Sequence, residues 1–160
     1  MLSLHASPVS ALGTRDTGGM SVYIREIAGE IGKSGIAVDI FTSSGEMTDK
    51  PELHISENVR LIHLDTGENR NIPKNELYRH VTDFSQKLDA YKKKNCLRYD
   101  LVHSHYWLSG MVGSQARSCW NVPHVITFHT TGLAKKTHCS DEDEPPNRLI
   151  AEQKLVRDID

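Results

Sequence analysis

Two stretches of helical periodicity alternate with β-rich apolar runs, and that alternation leaves this chain few architectures. Tyr23, Ile24, Ile27, Ala28 and Ile31 recur at three- and four-residue steps, as do Leu77, Val81, Phe84, Leu88 and Tyr91. Gly35 and the solvated run Lys92-Lys93-Lys94 stop the two patterns. The β-rich runs are IAVDIFT (36–42), VRLIHL (59–64), the stretch around Leu101 to His103, and VPHVITF (122–128), whose Pro123 belongs near a strand start. Residues 1–6 read as a short first strand, 107–118 as a helix despite Gly110 and Gly113, and 148–158 as a last helix. Residues 43–58, 65–73 and 132–147 are polar and read as loops.

Strands alternating with helices predict an α/β fold, a Rossmann-like, doubly wound, mostly parallel sheet with helices on both faces. Ligands bind such sheets beyond the carboxyl ends of the strands, at the switch in strand order. That rule points to the loops after Leu4, Thr42, Leu64, His103 and Phe128.

A length of 160 residues suits one domain. The near balance of 19 basic and 21 acidic residues argues against nucleic acid or an anionic membrane as the main partner. No apolar run approaches the roughly 20 residues of a membrane-spanning helix, and no cationic signal segment opens the chain, so a cytoplasmic location is the default expectation. Cys96, Cys119 and Cys139 are odd in number and widely spaced, which favours reduced thiols. Leu2 and Leu4 are the only inward candidates of the first strand, and no strand follows the last helix. The expectation is a domain belonging to a longer chain, with a natural small protein as the open alternative.

The strongest local feature is the loop from Gly13 to Ser21, between the first strand and the first helix. Its glycines let backbone N–H groups approach an anion, and the helix amino terminus adds partial positive charge, so a diphosphate suits it. The spacing is neither GxGxxG nor a Walker A loop. His103 and His105 share one face of a strand and raise the option of a metal, as does His138-Cys139. The strand pair lacks the carboxylate or CxxC partner that a zinc site needs, and His138-Cys139 adjoins an acidic loop, so no metal is expected at either. Tyr106 and Trp107 suit either a floor for a sugar or ordinary packing. His129, Thr130 and Thr131 follow the last strand, where a histidine can bond a ligand hydroxyl. Lys74 and Arg148 read as isolated cations outside the core, suited to a phosphorylated ligand. The acidic run 141–144 reads as a solvated loop.

The ordered blocks SLHASP, DTGGMSVYIREIA, GIAVDIFT, YDLVHSHYWLSG, VPHVITFHT and AEQKLVRDID resemble GT-B glycosyltransferases of the large retaining group. That group contains the sucrose-phosphate synthases and the enzyme that transfers N-acetylglucosamine to inositol phosphate in mycothiol synthesis. The resemblance implies two Rossmann-like domains facing a cleft, this chain being the amino-terminal, acceptor-side one, with the carboxyl-terminal nucleotide-sugar domain absent from it. It implies transfer of a sugar from a nucleotide donor, such as a UDP-sugar, to a sugar or polyol acceptor, with retention and without a cofactor. Gly18 and Gly19 would approach the donor diphosphate, and His129 would contact the donor sugar at the reacting centre. Ser21, Lys74, Tyr106, Thr130 and Arg148 would bind the acceptor. Ser21 stands where the inositol-phosphate enzymes carry Asn, which leaves the acceptor open. Expected partners are the donor, a small acceptor, the chain's own second domain and, as an open option, a second copy of the chain. The second reading is a non-catalytic sugar-phosphate or nucleotide-binding module on the same fold.

Overall fold

The computed structural model describes residues 1–9, 18–43, 51–66, 76–138 and 144–158. Helix α1 (Gly19–Lys33) leads into strand β1 (Val38–Ser43), followed by β2 (Glu52–Ser56) and β3 (Val59–Leu64). A 3-10 turn (Leu77–His80) opens α2 (Val81–Lys94). Then come β4 (Val102–His105), α3 (Tyr106–Trp120), β5 (His124–Thr127), α4 (Gly132–His138) and α5 (Pro146–Asp158).

Strand β1 pairs in parallel with β3, and β4 pairs in parallel with β5. Leu2 joins the two pairs through parallel bridges to Phe41 and Ser104, so the first segment lies between β1 and β4. The chain therefore moves outward on one side of Leu2 and then crosses to the other. This is the doubly wound arrangement that periodicity predicts, with its switch point beside residues 1–4.

Alternation along the strands divides the core in two. Val38, Ile40, Val59 and Leu61 pack with Ile24 and Ala28 of α1, while Phe41, Ile62 and Leu64 face Val81, Phe84, Leu88 and Leu108 of α2 and α3. Fully burying one such side chain contributes about 1.5–3 kcal/mol. Gly35 ends α1 at φ 84°, its N–H donating to the carbonyl of Gly32, a conformation in which glycine carries no Cβ penalty. Gly110 and Gly113 are tolerated inside α3 because neighbours lie against them. A Cβ at Gly113 would fall 2.2 Å from Nε2 of His124, and one at Gly110 would fall 2.4 Å from Cδ1 of Ile126.

Three expectations change, and one open alternative is resolved. The first segment forms a bridge at Leu2 rather than a full strand, although Leu2 and Leu4 are buried as expected. Strand β2 occupies part of the expected loop 43–58 and pairs antiparallel to β3 at the sheet edge. Only Leu53 and Ile55 turn inward there, too weak an apolar signal beside Pro51. Helix α4 occupies the start of the expected loop 132–147. Its first glycine reads as a loop marker in sequence, but its N–H is taken by Oε2 of Glu152. Trp107 is buried in the main core, so it supplies packing and not a sugar floor.

Candidate functional site

Strand β4 ends at His105 and turns directly into α3 through Tyr106, whose φ of 73° lies in the left-handed region. Strand β5 ends at Thr127, the register partner of His105, and His129 two residues later has φ 60°. Non-glycine residues are uncommon in that conformation, at a cost of order 1–3 kcal/mol each, and such strain gathers at functional sites. Both breaks stand at the carboxyl edge beside the switch point.

A histidine cluster lies between them. Nδ1 of His105 is 3.2 Å from Nε2 of His129, and Nε2 of His103 is 2.8 Å from Oγ1 of Thr127. The rings of His103 and His105 are 4.2 Å apart, as their shared strand face predicts. Tyr23 of α1 meets His129 edge-on at 5.2 Å and His105 at 6.0 Å, which joins the first helix to the cluster. Burial pushes the pKa of His103 down to about 4 and that of His105 down to about 2, and partial desolvation lowers that of His129. All three are therefore neutral imidazoles near pH 7. Among the described residues, no group of three or more His, Cys, Asp or Glu is arranged to hold a metal ion.

Arg148 is a correction to the expected isolated cation: it is 1% exposed. Its Nε donates to Glu152 at 2.7 Å, Nη1 to Glu144 at 2.7 Å, and Nη2 to the Thr130 carbonyl at 2.8 Å. The guanidinium carbon lies 4.8 Å from the centroid of the Tyr106 ring. Burial opposes its charge, but the bonds to Glu152 and Glu144 outweigh that and raise its pKa. Glu144 also pairs with Lys135 at 3.4 Å, its side chain 8% exposed, so this member of the acidic run is not a solvated residue. The sequence signal for both carboxylates is their spacing four residues either side of Arg148, which sets Glu152 beside it on α5. Sequence reasoning missed them, and it missed Tyr23 as a site residue.

Gly18 and Gly19 open α1 with no side-chain cap and no acidic residue in the first turn. Gly18 is extended at φ −122°, and a Cβ on either glycine would meet nothing within 4 Å among the described residues. Neither backbone strain nor the described neighbours there demand glycine. Ser21 is buried, and its Oγ has no hydrogen-bond partner among the described residues. The structure thus brings together Tyr106, Thr130 and Arg148, and it joins α1 to His129 through Tyr23. Lys74, Cys139, residues 13–17 and Asp141 to Asp143 lie outside the described residues.

The profile of Glycosyltransferase Family 4 matches residues 17–159. The chain belongs to that family. It is 38% identical over 162 residues to a D-inositol 3-phosphate glycosyltransferase of Corynebacterium glutamicum, and 39% identical over 166 residues to one of Kribbella flavida. Each comparison covers 100% of this chain, and 39% and 38% of those relatives. A sucrose-phosphate synthase from Thermosynechococcus elongatus superposes with a TM-score of 0.91 at 30% identity, over 99% of this chain and 40% of that one. The chain therefore spans about two-fifths of the length of these family members. Its fold is that of the amino-terminal domain of a GT-B glycosyltransferase. No helix among the described residues is long and apolar enough to cross a membrane.

Proposed function

We propose that this chain is the acceptor-side domain of an enzyme that moves a sugar from a nucleotide-sugar donor to a small sugar or polyol, with retention at the anomeric carbon. The observation that carries the reading is the adjacency of two differently equipped residues at one strand end. His129 belongs to a neutral histidine pair, and Thr130 belongs to the Arg148–Tyr106 cluster. In this reading His129 meets the donor sugar, while Thr130, Tyr106, Arg148, Ser21 and Lys74 form the acceptor end. The uncapped α1 amides at Gly18 and Gly19 face the donor diphosphate, where partial positive charge offsets the charge of the departing nucleotide. The absence of any described neighbour within 4 Å of a Cβ at either glycine supports a close approach of that kind.

The remaining donor contacts come from a second domain of the full-length protein. The 39% coverage of the inositol-phosphate relatives supports this. The nucleotide sugar is a co-substrate, and the reading includes no separate cofactor. Inositol phosphate and sugar phosphates are the first acceptors to try, because the named relatives handle them.

A donor and acceptor screen on the full-length protein, with His129→Ala and Gly19→Val beside it, tests the reading. Each variant should lose transfer by about 10²-fold or more while keeping its fold, as expected when a group aimed at developing charge or correct approach is lost. Wild-type rates in both would overturn these roles.

A further inference from the structure

His105 is a buried imidazole that neither the core nor the acceptor cluster explains. It is 0% exposed, and among the described residues its Nε2 has no hydrogen-bond partner and its one side-chain hydrogen bond goes to His129. An unsatisfied buried polar atom costs about 1–3 kcal/mol, so an apolar residue of similar volume would serve packing better. The surroundings restrict the pair further. Tyr23 stands edge-on to both rings, and His103, itself held by Thr127, lies beside His105.

We infer that His105 is a positioning residue that sets the tautomer of His129, so that His129 offers Nδ1–H as a hydrogen-bond donor toward the substrate. The inference rests on the reading of His129 as a group at the reacting centre.

Its basis is a count of protons. Both rings are neutral, so each carries one hydrogen, and one of those lies between Nδ1 of His105 and Nε2 of His129. Suppose His129 supplied it. His105 would then carry its own hydrogen on Nε2, leaving a buried N–H with no acceptor among the described residues. If His105 supplies it, Nε2 is left as a bare lone pair, and orphaned buried donors are the rarer defect. His129 therefore accepts at Nε2 and holds its proton on Nδ1, which has no hydrogen bond among the described residues. An N–H there binds a sugar hydroxyl or an oxygen gaining negative charge. It cannot take up a proton while that tautomer is held.

The test is NMR of the intact protein with labelled imidazole nitrogens. Protonated Nδ1 on both His105 and His129 near neutral pH is the expected result, and a proton on Nε2 of His129 overturns the inference. Kinetics supply a second readout. His105→Leu should lower kcat about 10- to 100-fold with the acceptor KM unchanged, the loss expected from a misplaced group. His105→Asn, whose amide N–H can stand in for Nδ1–H, should recover most of it. No loss in the leucine variant, or equal losses in both, would reject a positioning role. Wild-type turnover in His129→Ala would instead reject the reading of the site, leaving the measured tautomer to stand by itself.

Discussion

The carboxylate of Glu144 lies 2.7 Å from Nη1 of Arg148, the same cation that Glu152 and Thr130 already hold. A phosphorylated acceptor that reaches Arg148 has to displace that carboxylate. Glu144→Gln should therefore lower the KM of a phosphorylated acceptor about threefold to tenfold, or ~0.7–1.4 kcal/mol, and leave that of a neutral acceptor unchanged. Steady-state kinetics with paired acceptors decide this. An unmoved KM for the phosphorylated one would separate Arg148 from acceptor charge.

Arg148→Ala is a stability variant before it is a kinetic one. It leaves Glu152 buried without its cation and Glu144 with Lys135 alone, a change that typically costs ~3–5 kcal/mol. Urea unfolding should show a loss of that order. A loss under about 1 kcal/mol would mean that the cluster relaxes freely.

Gly113→Ala is expected to destabilise, although alanine is the better helix former by ~1 kcal/mol. The added methyl falls 2.2 Å from the His124 ring, which the hydroxyl of Ser104 holds through Nε2 at 2.7 Å. Overpacking of this kind costs ~1–3 kcal/mol, enough to reverse the propensity gain. A raised melting temperature would show that the ring moves aside.

Stability should decline on mild acidification. Burial lowers His103 and His124 to about 4 and His105 to about 2, from an ordinary 6.5. Below pH 6.5 the unfolded chain takes up protons that the folded chain refuses, so the contribution present above 6.5 fades as pH falls toward 4 and, for His105, further. Denaturant midpoints measured from pH 7.5 down to 4.5 should fall steadily. A flat profile would mean that these rings titrate normally in the fold.

Much of the architecture was legible because it rests on local pattern. The stripe holding Ile24 and Ala28 states which side of its helix is buried, and the run 59–64 reads as a strand, which the structure buries on both faces. Strand β2 was hidden because an edge strand needs only one half-buried face, and Leu53 and Ile55 make a weak signal. Arg148 was misread because a lone basic residue in a polar stretch looks solvated unless its partners are known. One of those partners, Glu144, sat in an acidic run that looked equally solvated. The histidines at 103, 105 and 129 could be assigned to an edge from sequence. Which pairs with which depends on the β4–β5 register, a long-range fact that periodicity does not carry.

That register also sets how this region tolerates changes of length. His105 and Thr127 are paired residues of one ladder, so removing a residue between Pro123 and His129 would move the second histidine by a full strand step, about 3.3 Å. It would also turn the side chains after the deletion to the opposite face, parting His129 from His105. Insertions near the edge strand β2 disturb one weak pairing, whereas this short segment should admit substitutions far more readily than changes in length.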